Sequence, residues 1–288
     1  MLHSPPISNQ PAVAPFHPIA PMSRFLGYAW LPVVSAATWF GVLLAMLIIW
    51  GAEGTPRYQS DEGGIVYISD VGAHIKPLFI AGTSVTGPFF VAALIAERWL
   101  RHRSRLTPNR RTTEKVLSVC AIVCALVGAA ALICLSIWDA FNHSSVHWRL
   151  TVVFIIFIAL SAIFTTCEFR FLRKGYPDTR RLMFSYAVKI LIVIFAVALA
   201  IAMGVLMNKN HESAAAVCEW IIAFLFDAYV WTLVYDLRPA VKTSNSYLKR
   251  HPSAVMAMQE QQSNGWSNGQ ASGGPDLAPN NHTINPVA

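Results

Sequence analysis

Six stretches of this chain stay apolar for most of their length, near 28–50, 77–98, 116–138, 150–171, 186–207 and 217–237. A helix of roughly 20 residues crosses a bilayer core of about 30 Å, and inside that core the backbone must satisfy its own hydrogen bonds. Few architectures survive both demands. The expected fold is all-α, an integral membrane six-helix bundle. Composition agrees, since 55% of the 288 residues are hydrophobic and only 13% are charged, far from a soluble domain. The first stretch, "YAWLPVVSAATWFGVLLAMLIIW", is too long for a signal-peptide core and is expected to be retained.

Residues 1–27 are Pro-rich and poor in charge, and residues 238–288 are rich in Ser, Asn, Gln and Gly, so both read as disordered tails around a membrane domain at 28–237. Lys and Arg crowd at Arg24, from Arg98 to Lys115, from Arg170 to Arg181 and from Arg238 to Arg250, whereas Arg57, Lys76, Arg149 and Lys209 stand on the opposite side. The positive-inside rule then makes both tails cytosolic. The net charge of +7 reads as attraction to anionic inner-leaflet lipid and not as a nucleic-acid footprint. In the loop "RHRSRLTPNRRTTEK", Arg101, Arg103, Arg105, Arg110 and Arg111 are the expected lipid contacts, each contributing about 1 kcal/mol near such a leaflet. The same charges serve equally as a topogenic signal.

Ionisable groups within the spans are costly, about 2.5–3.5 kcal/mol at the bilayer centre, and therefore informative. Asp227 lies midway along the last span with Glu219 two turns earlier. Lys189, one turn into the neighbouring span, either pairs with Asp227 or snorkels to the interface. Glu97 and Glu168 stand beside Arg98 and Arg170 and read as surface pairs. In the fifth span Ala196, Ala200 and Gly204 form a small-residue line suited to close helix approach. In the second, Thr83, Ser84 and Thr86 surround Gly87 and Pro88. Their hydroxyls suit either packing around the proline or a polar cleft for a lipid headgroup or sterol.

No zinc pair, phosphate loop or nucleophile elbow occurs in the sequence, so neither a catalytic centre nor a cofactor or metal is expected. The five cysteines fall in or at the ends of spans and lack His or carboxylate companions in a four-ligand pattern. "NHS" at Asn142 fits a glycosylation acceptor on the outer side.

The stretch "VYISDVGAHIKPLF" stands just before the second span. Ser69, Asp70 and His74 sit too close together on one short loop for a triad of nucleophile, base and orienter. Ser69 or Asp70 can cap a helix end, Gly72 allows a tight backbone, and Pro77 suits a first helical turn. A structural collar is one reading, and recognition of a headgroup or partner is the other. Tyr67, Ile68, Ser69, Asp70, Gly72, Pro77 and Phe79, placed ahead of the second of six spans, resemble the Frag/DRAM/suppressor-of-four-kinase family. Within it the chain looks most like the fungal suppressor-of-four-kinase branch. That resemblance implies a non-catalytic plasma-membrane protein that recruits or regulates a phosphatidylinositol 4-kinase complex and influences lipid and sterol organisation. Other branches imply lipid remodelling of GPI anchors in the secretory pathway or modulation of autophagy at the lysosomal or vacuolar membrane.

Overall fold

The computed structural model describes residues 27–59, 63–107, 111–175 and 180–242. Most of both tails, Asp61 and Glu62, and Arg110 lie outside the described residues. After a 3-10 turn at Gly27–Ala29 come α1 (Trp30–Ala52), the short α2 (Ile68–His74), α3 (Lys76–His102), α4 (Thr112–Ile137), α5 (Ser144–Gly175), α6 (Arg180–Asn208), α7 (Glu212–Leu237) and the four-residue α8 (Pro239–Lys242). Six of these helices are long and apolar enough to cross a membrane among the described residues. The bundle has two ends: a motif end, where α1 leads into α2 and α3, and a basic end, where α3 leads into α4.

The long helices overrun the apolar stretches because polar turns beyond the bilayer core can still continue the ladder. At the start of α4, the Arg111 N–H donates to the Glu114 carboxylate at 3.2 Å, as in a capping box. At the start of α3, Pro77 occupies the first turn, as its spacing predicted, where a missing N–H costs nothing. The helix then continues through Pro88. Of the hydroxyls around that proline, that of Thr83 joins α3 to α4. Thr83 donates to the Phe79 carbonyl at 3.0 Å and meets the Ser136 hydroxyl of α4 at 3.0 Å. Ser35 of α1 donates to the Thr86 carbonyl at 2.9 Å.

In ring order, α1 packs on α3, α3 on α4, α4 on α5, α5 on α6, α6 on α7, and α7 back on α1. Phe226 of α7 is the hub of the interior, with edge contacts to Phe90 at 5.4 Å, Trp39 at 6.1 Å and Phe154 at 6.3 Å. Such pairs are worth about 0.5–1.5 kcal/mol each beyond area burial. In a lipid solvent that packing matters more than exclusion from water. The member most open to lipid is α6, whose Leu191, Ile194, Phe195 and Ile201 are all more than half exposed. Its small-residue line departs from expectation. No helix approaches Gly204, where an added Cβ would meet nothing within 4 Å. Ala196, Ala200 and Gly204 instead line a cavity.

Candidate functional site

Inside the ring lies a cavity of about 450 Å³, within the size range of ligand pockets. Its walls come mainly from α5, α6 and α7 and are almost wholly apolar. Ile156 and Ile201 both line it and are also exposed on the outer surface of the bundle, so its mouth opens sideways, where lipid would lie. At the motif end α2 contributes Ile68 and Ser69, α5 contributes His147 and α7 contributes Glu219.

The motif residues build that end. The Glu219 carboxylate accepts the Ile68 N–H at 2.7 Å and also the Ser69 N–H. It thereby satisfies the first donors of α2 from another helix. Neither Ser69 nor Asp70 is the cap: the N-cap positions of α2 and α3 are Tyr67 and Ile75, and neither makes a side-chain cap bond. Asp70 is buried and accepts from Gln59 at 2.9 Å. Tyr67 donates to Glu212 at 2.6 Å, and burial together with that bond pushes its phenol well above the usual tyrosine range. Gly72 is needed for close approach: a Cβ there would lie 2.9 Å from the Phe79 ring, which in turn packs near Trp39. The Trp220 indole donates to the Val66 carbonyl at 3.1 Å and fastens the preceding strand of chain to α7.

A second fastening was not foreseen. Lys76 meets Asp139 at 2.6 Å, and Asp139 also accepts the Phe141 and Asn142 N–H groups at 3.1 and 2.8 Å. An Asp two and three residues ahead of those donors is a local capping pattern that could have flagged it. The Asn142 side-chain nitrogen, the atom that glycosylation would modify, donates to both Asp139 oxygens at 3.0 and 3.2 Å. Nearby, His74 hydrogen-bonds Glu53 at 3.1 Å and holds that carboxyl below the usual glutamate range.

At the basic end the structure replaces three expectations. Glu97 and Glu168 are buried, not surface, residues, and their partner is Arg101: Glu97 lies 2.6 Å from its guanidinium and Glu168 3.7 Å. Arg101 is only 4% exposed. Its face of α3 turns into the bundle, which removes it from the expected lipid contacts, whereas Arg103 is exposed. Lys189 neither snorkels nor pairs with Asp227. It is fully buried and forms an ion pair with Asp236 at 2.6 Å, with Ser185 donating to the other Asp236 oxygen at 2.6 Å. The Phe169 ring lies between the two cations, 4.8 Å from Arg101 and 4.1 Å from Lys189. This cluster ties α3, α5, α6 and α7 together. Of the remaining loop arginines, Arg105 donates to the Ala240 carbonyl at 2.9 Å and Arg103 stacks over Trp99. Asp227 is buried, and the Trp231 indole one turn on donates to it. It does not line the cavity with Glu219.

Among the described residues no group of three or more His, Cys, Asp or Glu side chains could hold a metal ion. A family model, the Frag1/DRAM/Sfk1/Cwh43P N-terminal domain, matches residues 27–240. Protein sfk1 of Schizosaccharomyces pombe is 32% identical over an alignment covering 76% of this chain and 66% of that protein, so the chain spans just under two thirds of that relative. Protein SFK1 of Saccharomyces cerevisiae is 25% identical, with 72% of this chain and 76% of that protein covered. No solved structure matches. The six spans, the motif packed at one end of them and the match across 27–240 give one conclusion: this chain is a multi-pass membrane protein belonging to the Frag1/DRAM/Sfk1/Cwh43P family, with its relatives in the Sfk1 branch.

Proposed function

We propose that this chain is a non-catalytic plasma-membrane protein that organises bilayer lipid and regulates phosphoinositide synthesis, with both tails in the cytosol. The observation that carries the reading is the apolar cavity, open to the lipid side and finished at one end by the family motif. A soluble substrate would find few partners on such walls, whereas a lipid can enter directly from the bilayer. The basic end supplies the second half of the reading. Arg103 and Arg111 are exposed there, and Arg103 lies 5.3 Å above the ring of the half-exposed Trp99, a combination suited to the headgroup layer of an anionic leaflet. A phosphatidylinositol 4-kinase complex recruited to this end would meet its lipid substrate in the same leaflet.

The test is removal of residues 238–288 in living cells. The truncated protein is expected to reach the plasma membrane, lose co-purification with the kinase complex in mild detergent, and lower phosphatidylinositol 4-phosphate at the membrane. Golgi residence with altered GPI-anchor lipids after deletion of the whole protein would instead favour an anchor-remodelling role. Absence of any kinase association in the full-length protein would sink the recruitment reading.

A further inference from the structure

Three features of the cavity constrain its occupant more tightly than size does. The mouth is lateral, marked by Ile156 and Ile201, while α2 lies across the motif end with Ile68 and Ser69 in the lining. A lipid entering from the side must therefore bring its polar end past an apolar mouth. Burying a phosphate there, at the end where the Glu219 carboxyl also lies, would be far more costly than burying a hydroxyl. The second feature is the wall of α6, where Ala196, Ala200 and Gly204 leave open space that no helix fills.

The third is His147, which is 6% exposed and lines the cavity near its roofed end. Its Nδ1 faces two carbonyls at the end of α4, Leu135 at 3.0 Å and Trp138 at 2.9 Å. Carbonyl oxygens only accept, so Nδ1 carries the proton, and in the neutral ring Nε2 is left as an acceptor. Nε2 has no partner in the protein and is shielded from solvent. An orphaned buried acceptor costs about 1–3 kcal/mol. Because Nε2 is shielded from the cavity as well as from the outer surface, a ligand donor meets it only if the imidazole turns as the ligand seats. Ser69, on the same end of the lining, offers a hydroxyl that can accept from or donate to the same group.

We infer that the cavity binds a neutral membrane lipid whose polar end is a single hydroxyl, seated under α2 with that hydroxyl donating to His147 Nε2 and its apolar body along the Ala196–Ala200–Gly204 wall. This rests on the reading of the cavity as a lipid site and names its ligand class. Sterols and diacylglycerols share the chemistry.

The test uses the full-length protein in phosphatidylcholine nanodiscs with three photoreactive alkyne probes: a sterol with a free hydroxyl, a diacylglycerol and a phosphatidylcholine. The sterol or the diacylglycerol probe is expected to label peptides of α5, α6 or α7, and whichever does so identifies the source. The unlabelled parent alcohol should compete, and its methyl ether, which has lost the donor, should compete about three- to tenfold less well, the range of one hydrogen bond. Gly204→Leu places a side chain in the open space and should abolish labelling. His147→Asn keeps an amide N–H where Nδ1 donates, removes Nε2, and should weaken labelling about threefold or more. Should that variant fail to fold, the methyl ether decides. Equal competition by the ether, or labelling untouched by Gly204→Leu, overturns the inference. Labelling by phosphatidylcholine alone that Gly204→Leu removes also overturns the hydroxyl assignment, yet it would leave the cavity a lipid site.

Discussion

Asp139 shows how much one side chain outside the spans can hold. Burial alone would raise its carboxyl. The Lys76 ammonium at 2.6 Å and the backbone and side-chain amides of Asn142 outweigh that, and hold it well below the usual aspartate range. A carboxyl depressed in the folded state contributes stability that is fully present above its unfolded value, about 3.9, and is lost as pH falls through the folded one. Thermal unfolding in nanodiscs should therefore show no Asp139-dependent change between pH 8 and about pH 5, and a decline below about pH 4. Asp139→Asn should cost about 1.5–3 kcal/mol at pH 7, the usual worth of hydrogen bonds to a charged group, and should flatten the acid decline. An unchanged acid limb in that variant would show that other carboxylates set it. At this scale the sequence was read well where partners are local and poorly where they are not. Pro77 sat where its chemistry demands. Glu97 and Glu168 were given their chain neighbours Arg98 and Arg170; the four-residue spacing from Glu97 to Arg101 was a legible signal that went unused, whereas nothing in a linear pattern brings Glu168 to Arg101.

Among the elements, α2 was the hardest to foresee. Seven residues give no periodicity to read, and its stabilising cap comes from α7. Glu219 drew attention as a costly acid within a span, which was the right signal with the wrong companion. Its carboxylate closes α2 and does not act with Asp227. Glu219→Ala should leave the Ile68 and Ser69 N–H groups without their acceptor and weaken α2 by about 0.5–2 kcal/mol, the range of an N-cap loss. Hydrogen exchange over residues 66–74 should quicken about two- to thirtyfold, whereas the interior of α3 should exchange as before. Glu219→Gln keeps an acceptor oxygen and should show a smaller effect. Exchange of α2 unaltered in the alanine variant would mean that packing of Ile68, Val71 and Phe79, not the carboxylate, fixes the collar. The long helices were legible for the opposite reason, since each carries enough apolar residues for lipid solvation to dictate both its type and its approximate limits.

Across the molecule, the basic end is held by charges that few bundles place in their interior. Arg101 and Lys189 face Glu97, Glu168 and Asp236 across four helices. With every group ionised, the carboxylates outnumber the cations by one. Removing one member of a buried set is destabilising, commonly by about 3–5 kcal/mol, because it strands the charges left behind. The formal count makes that penalty unequal here. Lys189→Met strands a carboxylate excess in a fully buried place, whereas Asp236→Leu brings the two signs into balance and loses chiefly the bonds from Lys189 and Ser185. The lysine variant is therefore expected to lose about 3–5 kcal/mol, the aspartate variant less, and the double variant to recover most of the loss, since a well-packed apolar pair is often as stable as the ion pair it replaces. Thermal unfolding of the four proteins in nanodiscs at pH 7, compared as a double-mutant cycle, measures this directly. If Asp236→Leu proved the more damaging, the cluster would not hold the excess charge that the count gives it, and a proton would have to reside among Glu97, Glu168 and Asp236. Tyr229 gives the result wider reach, because one ring both lines the cavity and lies 5.6 Å from the Lys189 ammonium. Loosening the cluster should therefore also weaken probe labelling of the cavity at the opposite end, and labelling that survives Lys189→Met undiminished would establish that the two ends act independently.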